Sequence, residues 1–163
     1  LWRRERWANY CAALDVLGDT EEAIEAYRNF EDRKPDDLLY LHIHGLLQVL
    51  YLQSQAAEEI QRFLGLPRRG FPEEIRKIRH VRDQATGHPV RQGSGNAHFI
   101  VRATLSRHVL PIQSYEGTQH KWRLHTIESL VSRNRSGVVE MLARCEQRLQ
   151  AFPHVSGCDS PDE

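Results

Sequence analysis

Arg82 and His88 are the residues of this chain whose types and spacing best suit chemistry. They lie six positions apart, at the end of a predicted helix that Gly87 and Pro89 terminate. An arginine guanidinium is a permanently charged, forked phosphate ligand, and a histidine imidazole titrates near neutral pH. Such a pair could cut a phosphodiester without a metal. An ordinary helix end is the alternative, with Arg82 extended into solvent and His88 in a surface loop.

The phase of Arg82 in its predicted helix favours a site. Ile75, Ile78 and Arg82 follow the i, i+3, i+7 spacing and therefore share one face. A permanent charge on the core-facing side of a helix is costly unless it is paired or faces a cleft.

The charge around this helix is strongly positive. Between positions 62 and 91, eight basic residues stand against three acidic ones, a net charge of +5 in a chain with a net charge of zero. Such a patch suits a phosphate backbone, and a solvated, salt-bridged helix face is the alternative. Besides Arg82, the candidate ligands for RNA phosphates in this patch are Arg76, Arg79 and Arg91.

An uncharged stripe runs along the longest predicted helix and is a second candidate for a site. Its members are spaced 4, 4, 3 and 4 residues apart and fall within a sector of roughly 80°. They are Tyr40, His44, Gln48, Tyr51 and Gln55. A solvated face would carry lysine and glutamate, so the stripe suggests a groove, a subunit contact or the wall of a site. Core residues that are satisfied by hydrogen bonds within the bundle are the alternative.

Several classes of site are disfavoured by spacing. His42 and His44 point in nearly opposite directions on a helix, and His120 and His125 are also poorly spaced, so we expect no metal and no cofactor. The three cysteines are widely spaced and form neither a disulfide framework nor a zinc motif. Cys145 is expected in the core. The cysteine pattern favours a reducing cytoplasm. Since no apolar run is long enough to span a bilayer, we expect no membrane partner.

Helical patterns account for most of the chain. A first helix over 3–17 is expected to end at Gly18, and Asp19 is expected to cap a second helix over about 20–31. The longest helix is predicted over 36–64, ended by Gly65 and Pro67. The next is predicted to begin at Pro72 and Glu73.

The pattern changes near residue 98. Two short segments, at 98–105 and 108–115, are rich in β-branched and apolar residues and predict a β-hairpin, in which Pro111 limits the second strand to an edge. A final helix is predicted over 119–151, with a kink at Gly137. The predicted fold class is all-α, a four- to five-helix bundle with a small β-hairpin insertion near residues 98–115. One domain over 1–155 precedes a disordered polar tail over 156–163.

These residues resemble the HEPN superfamily (higher eukaryotes and prokaryotes nucleotide-binding), whose motif is an arginine, a polar residue, a short variable stretch and a histidine. The segment from Ile78 through Arg82-Asp83 to Gly87-His88-Pro89 is similar to that motif in bacterial members. Upstream, Leu50 to Ala57 resembles the long helix that precedes the motif there. The resemblance covers roughly residues 36–90.

The resemblance implies a homodimer in which two Arg–His pairs form a composite, metal-independent endoribonuclease site, as in toxins and defence effectors. His88 would then be the general acid and base, and Arg82 would bind the scissile phosphate. Asp83 occupies the polar position, which is more often asparagine, and would either orient His88 or repel phosphate. Non-catalytic members imply two alternatives, a helical binding and dimerisation module or an accessory subunit of a nucleotidyltransferase-like partner. An antitoxin is a further expected partner.

Overall fold

The computed structural model describes residues 2–30, 36–87, 97–116 and 118–151. The predicted class is confirmed at the level of a predominantly helical fold. The described helices are α1 (Trp2–Asn29), α2 (Asp36–Phe63), α3 (Glu73–Arg82) and α4 (Ile127–Gln150). A small antiparallel sheet contains β1 (Ala97–Ile100), β2 (Val109–Glu116) and β3 (Gln119–Thr126). None of the described helices is long and apolar enough to cross a bilayer.

Helix α1 runs without interruption through Gly18, so the predicted break there and the predicted cap at Asp19 are wrong. The hydroxyl of Thr20 instead donates within the helix to the carbonyl of Val16 at 2.7 Å. A glycine inside a helix costs only about 1 kcal/mol relative to alanine. Packing on both sides of Gly18 outweighs this cost, because Ala13 and Ile24 are both buried.

The end of α2 confirms the prediction from Gly65. Gly65 has a φ of +68°, in the left-handed region that glycine tolerates. The amide of Leu66 donates to the carbonyl of Gln61, and the amide of Gly65 donates to the carbonyl of Arg62. These two hydrogen bonds form a Schellman motif. The Arg6 guanidinium also donates to the carbonyl of Arg62, so α1 helps to cap α2.

The predicted hairpin is instead part of a three-stranded sheet in the order β1-β2-β3. Pro111 lies in the central strand β2, opposite Leu124 of β3, so its predicted edge role is wrong. Its carbonyl accepts a hydrogen bond from the amide of Val101, just after β1 ends at Ile100. In an antiparallel ladder, the carbonyl and amide positions of one residue face the same neighbour. The missing proline N–H therefore faces the end of β1, where little pairing is lost.

Residues 119–126 form β3, so the predicted start of the last helix was wrong by eight residues. The strand pairs along its length with β2, from Glu116↔Gln119 to Val109↔Thr126. Its side chains are mostly exposed, including the 54% exposed Trp122 and the 69% exposed Leu124. With neither face buried, the segment lacks the alternation that identifies a strand in sequence.

Helix α4 is continuous from Ile127 to Gln150 and runs through Gly137. Gly137 lies at a close contact between α3 and α4. A Cβ atom at this position would lie 2.5 Å from Cγ1 of the fully buried Ile75. On the same helix Cys145 is buried as predicted, and burial raises the pKa of its thiol.

Candidate functional site

The predicted Arg–His motif is only partly visible in the described structure. Arg82 is the last residue of α3, and Asp83–Gly87 continue the helix as a single π-helical turn. His88 and Arg91 lie outside the described residues. Single π-helical turns of this kind are frequent at functional sites. Within the turn, Gln84 and Ala85 are buried and the Thr86 hydroxyl donates to the carbonyl of Arg82 at 2.9 Å.

The Arg82 side chain extends across α2 and is 24% exposed. One terminal nitrogen donates to Oε1 of Gln48 at 3.1 Å, and the other pairs with Oδ1 of Asp83 at 2.8 Å. The guanidinium carbon lies 4.6 Å from the centre of the Tyr51 ring, in cation–π contact. Its Nε is buried and has no hydrogen-bond partner among the described residues. The charge is thus held in place while donors of the guanidinium stay unused.

Arg79, one turn earlier on α3, occupies the next position along α2. Its guanidinium carbon lies 4.5 Å from the centre of the Tyr51 ring and 4.1 Å from that of Phe71. With the Gln55 amide oriented so that its oxygen faces Arg79, that oxygen accepts hydrogen bonds of 3.1 and 3.2 Å. Tyr51 therefore contacts both arginines, and two guanidinium groups are held close together.

The polar stripe of α2 is therefore the wall against which the α3 arginines pack. Gln48, Tyr51 and Gln55 contact Arg79 or Arg82 directly. The two features that the sequence presented separately are one site. The direct contacts also explain why these positions carry amides and an aromatic ring instead of lysine and glutamate.

The other end of the stripe meets a third arginine. The rings of Tyr40 and His44 lie 4.3 Å apart, and the Arg102 guanidinium carbon is 5.4 Å from the centre of the Tyr40 ring. Burial lowers the pKa of His44, which favours its neutral form. Arg102 lies in a 3-10 turn after β1 (Arg102–Thr104), and no sequence spacing relates it to α2. The stripe thus links Arg102 with the pair formed by Arg79 and Arg82.

The basic residues that give the local charge of +5 do not form one continuous surface. Arg62 pairs with Glu59 on α2, and Lys77 pairs with Glu73 and Glu74 on another side of α3. Arg76 is exposed one turn before Arg79. Of the candidate phosphate ligands that are described, only Arg79 is brought beside Arg82.

A polar network that the sequence did not reveal connects α1, α2 and α4. The amide of Asn134 donates to Oε1 of Gln53 at 2.7 Å, and Gln53 donates to Oε1 of Glu21 at 2.6 Å. Gln53 and Asn134 are buried, and Glu21 also pairs with Arg135 at the surface. The hydrogen bond from Arg135 is the main cause of a lowered pKa of Glu21, against a smaller opposing effect of burial. The network holds α2 in register with its neighbours and so positions the stripe.

The described residues contain no group of three or more histidine, cysteine or acidic side chains that could hold a metal ion. No family model, curated protein or solved structure matches the chain.

Replacing Asp83 with asparagine tests how this carboxylate acts on the site. We expect short single-stranded RNA to bind about two- to fivefold more tightly to Asp83→Asn. An exposed ion pair such as the one between Arg82 and Asp83 contributes at most about 1 kcal/mol to stability. Removing the Asp83 charge leaves Arg82 free to pair with phosphate. Fluorescence anisotropy measures the affinity. Glu140→Gln removes the same charge from an ion pair on α4 and is the matched control. Weaker binding by Asp83→Asn would show that the carboxylate supports the site.

Proposed function

We propose that this protein is a HEPN-like, metal-independent endoribonuclease that acts as a homodimer, in the manner of a toxin or defence effector. The observation that carries the proposal is the placement of Arg82. Its guanidinium stands at the end of α3, fixed by Gln48, Asp83 and the Tyr51 ring, directly before the turn that leads to His88. Cleavage by an internal nucleophile needs a pre-positioned phosphate ligand and a titratable group, and Arg82 would supply the first and His88 the second.

In the proposed reaction, the 2′-hydroxyl of one ribose attacks the adjacent phosphorus atom. His88 takes the proton of that hydroxyl, and the imidazolium so formed gives a proton to the 5′-oxygen of the next nucleotide as the bond to that oxygen breaks. The products are a 2′,3′-cyclic phosphate and a 5′-hydroxyl. Arg82 donates to the non-bridging phosphate oxygens, on which negative charge grows in the transition state.

The α2 stripe supplies a path for the RNA strand in this proposal. Arg79 and Arg102 lie on either side of Arg82 along the stripe and would contact neighbouring phosphates. Tyr40 and Tyr51 lie about 16 Å apart along the helix, from a rise of about 1.5 Å per residue. Arginines that alternate with aromatic rings are a common way to hold a single strand without reading its sequence.

The assay that tests this proposal uses the purified full chain, a labelled single-stranded RNA and excess EDTA. We expect cleavage to persist in EDTA and to leave 2′,3′-cyclic phosphate ends, which mass spectrometry of the fragments identifies. Cleavage that depends on added Mg²⁺, or that leaves 5′-phosphates, would overturn the mechanism. Size-exclusion chromatography with light scattering tests the homodimer independently.

A second function, a non-catalytic binding and dimerisation module, is favoured by one observation. Arg82 already has partners within the chain, since Asp83 and Gln48 take up its two terminal nitrogens. A module of this kind would bind RNA or a partner such as an antitoxin or a nucleotidyltransferase-like subunit. It would leave RNA intact in the EDTA assay, and Tyr51→Ala would weaken association. RNA cleavage by the purified chain rules this function out.

A further inference from the structure

A basic cavity lies between α3, β3 and the first turns of α4. It has a volume of about 190 Å³ and is partly open to solvent. Lys77 and His80 line it from α3, and Gln84 lines it from the π-helical turn that follows. Arg123 and His125 line it from β3, and Arg133 from α4. Arg79 and Arg82 instead contact α2, so this cavity is separate from the site described above.

The charge around this cavity is unbalanced. None of the described residues that line it carries a carboxylate, and Glu73 and Glu74 pair with Lys77 at its edge. Glu74 is shared, because one carboxylate oxygen lies 3.0 Å from Lys77 and the other 3.6 Å from Arg133. Arg123 forms no ion pair with any residue in the described part of the chain. Positive charges gathered in a concave, partly desolvated space attract an anion.

Two residues that line the cavity each carry a buried polar atom without a partner among the described residues. Oε1 of Gln84, a residue that is only 3% exposed, and Nε2 of His125 form no hydrogen bond with described residues. Buried polar groups are nearly always satisfied, so these atoms need water or a ligand, and the cavity is large enough for either. The amide oxygen of Gln84 can accept a hydrogen bond from a hydroxyl group, and the ring nitrogen of His125 can form a hydrogen bond as well.

The pKa of His125 responds to the charges around the cavity. Burial is the largest cause of its lowered pKa, and the positive charges of Arg123, Arg133 and His80 lower that pKa further. Lys77 adds to the positive charge, and the shared carboxylate of Glu74 opposes it. A bound anion would favour the protonated imidazole and raise the pKa of His125.

We propose that this cavity binds a phosphate group, either inorganic phosphate or the phosphate of a nucleoside monophosphate. Arg123 and Arg133 would pair with its charged oxygens, His125 would hydrogen-bond to it, and Gln84 would accept from a protonated phosphate oxygen or a ribose hydroxyl. A phosphate group matches a wall that combines several cationic donors with one acceptor. The site is independent of the proposed ribonuclease activity, because it uses none of Arg79, Arg82 or His88.

The test follows histidine NMR signals of the full chain during titration, with His125→Gln identifying the His125 resonance. Inorganic phosphate, 5′-AMP and adenosine are titrated against sodium chloride at matched ionic strength. We expect saturable shifts with phosphate and 5′-AMP, none with adenosine, and a rise in the pKa of His125. If 5′-AMP binds more tightly than inorganic phosphate, the site recognises a nucleotide. If the two bind equally, the site recognises the phosphate group alone. Non-saturable shifts, or shifts that sodium chloride reproduces, would overturn the proposal.

Two variants separate this site from the proposed nuclease site. Arg123→Ala changes an exposed strand residue and is expected to weaken phosphate binding about tenfold, because it removes a charged hydrogen-bond donor. Arg79→Ala, on the α2 side of the same helix, should leave phosphate binding unchanged. Unaltered binding by Arg123→Ala would overturn the proposed site. RNA cleavage in EDTA by Arg123→Ala should match the unmodified chain, so either proposal can fail without the other.

Discussion

The rate of RNA cleavage in EDTA is expected to fall by about 10² to 10⁴-fold when His88 is replaced with alanine. It is expected to fall by about 10² to 10³-fold in Arg82→Ala. His88 would move the protons in the proposed reaction, and Arg82 would stabilise the charge that grows on the phosphate. Initial rates at saturating RNA give the ratios, and circular dichroism confirms that the variants fold.

Arg82→Lys sharpens this prediction because it keeps the charge and removes the fork. A lysine cannot donate to Gln48 and Asp83 with parallel planar geometry, nor stack on Tyr51 as a guanidinium does. We therefore expect Arg82→Lys to lose much of the activity while retaining most of the RNA affinity. Arg62→Ala removes one exposed arginine of the same local patch and should stay within a few-fold of the unmodified chain. Full activity in both His88→Ala and Arg82→Ala would eliminate the proposed catalytic site.

Replacing Gly137 with valine is expected to lower the free energy of unfolding by about 3 kcal/mol, at the upper end of typical overpacking costs. The new side chain would collide with Ile75, which is fully buried and cannot swing away into solvent. Urea denaturation measures the change, on the assumption of a two-state transition. Because α3 carries Arg79 and Arg82, displacement of α3 from α4 should also disturb the candidate site.

Glycines elsewhere in the helices provide the matched control. A Cβ atom at Gly18 of α1 would meet nothing within 4 Å, so Gly18→Ala should stabilise the protein by about 0.5–1 kcal/mol through helix propensity alone. Gly137→Ala should instead destabilise it. Adding Ile75→Ala to Gly137→Ala removes the colliding atoms, and the double variant should be more stable than the sum of the two single changes indicates. Stabilisation by Gly137→Ala would refute a close contact between α3 and α4.

Local chemistry made parts of this protein predictable from sequence. The end of α2 follows from Gly65, whose positive φ the chain needs there, and the start of α3 follows from a proline and two acids. The buried face of α2 follows from its helical apolar spacing. Such features depend on residues within one or two turns of each other. The phase of Arg82 relative to Ile75 and Ile78 belongs to the same class, and it singled out the candidate site.

Packing between distant segments decided the rest. Gly18 looks like a stop signal locally, yet α1 continues because the residues around it are buried. Strand β3 has neither face buried, so its pairing with β2 leaves little trace in its own hydrophobic pattern.

The sequence by itself determined which side chains are available for chemistry, the arginines of α3 and the polar stripe of α2. Only the tertiary structure decided that Tyr51 lies against both Arg79 and Arg82, and that Arg123 joins Gln84 at a second cavity. The physical reason is that side chains project from all sides of a helix. Its neighbours determine which of them become buried, paired or left open for a ligand.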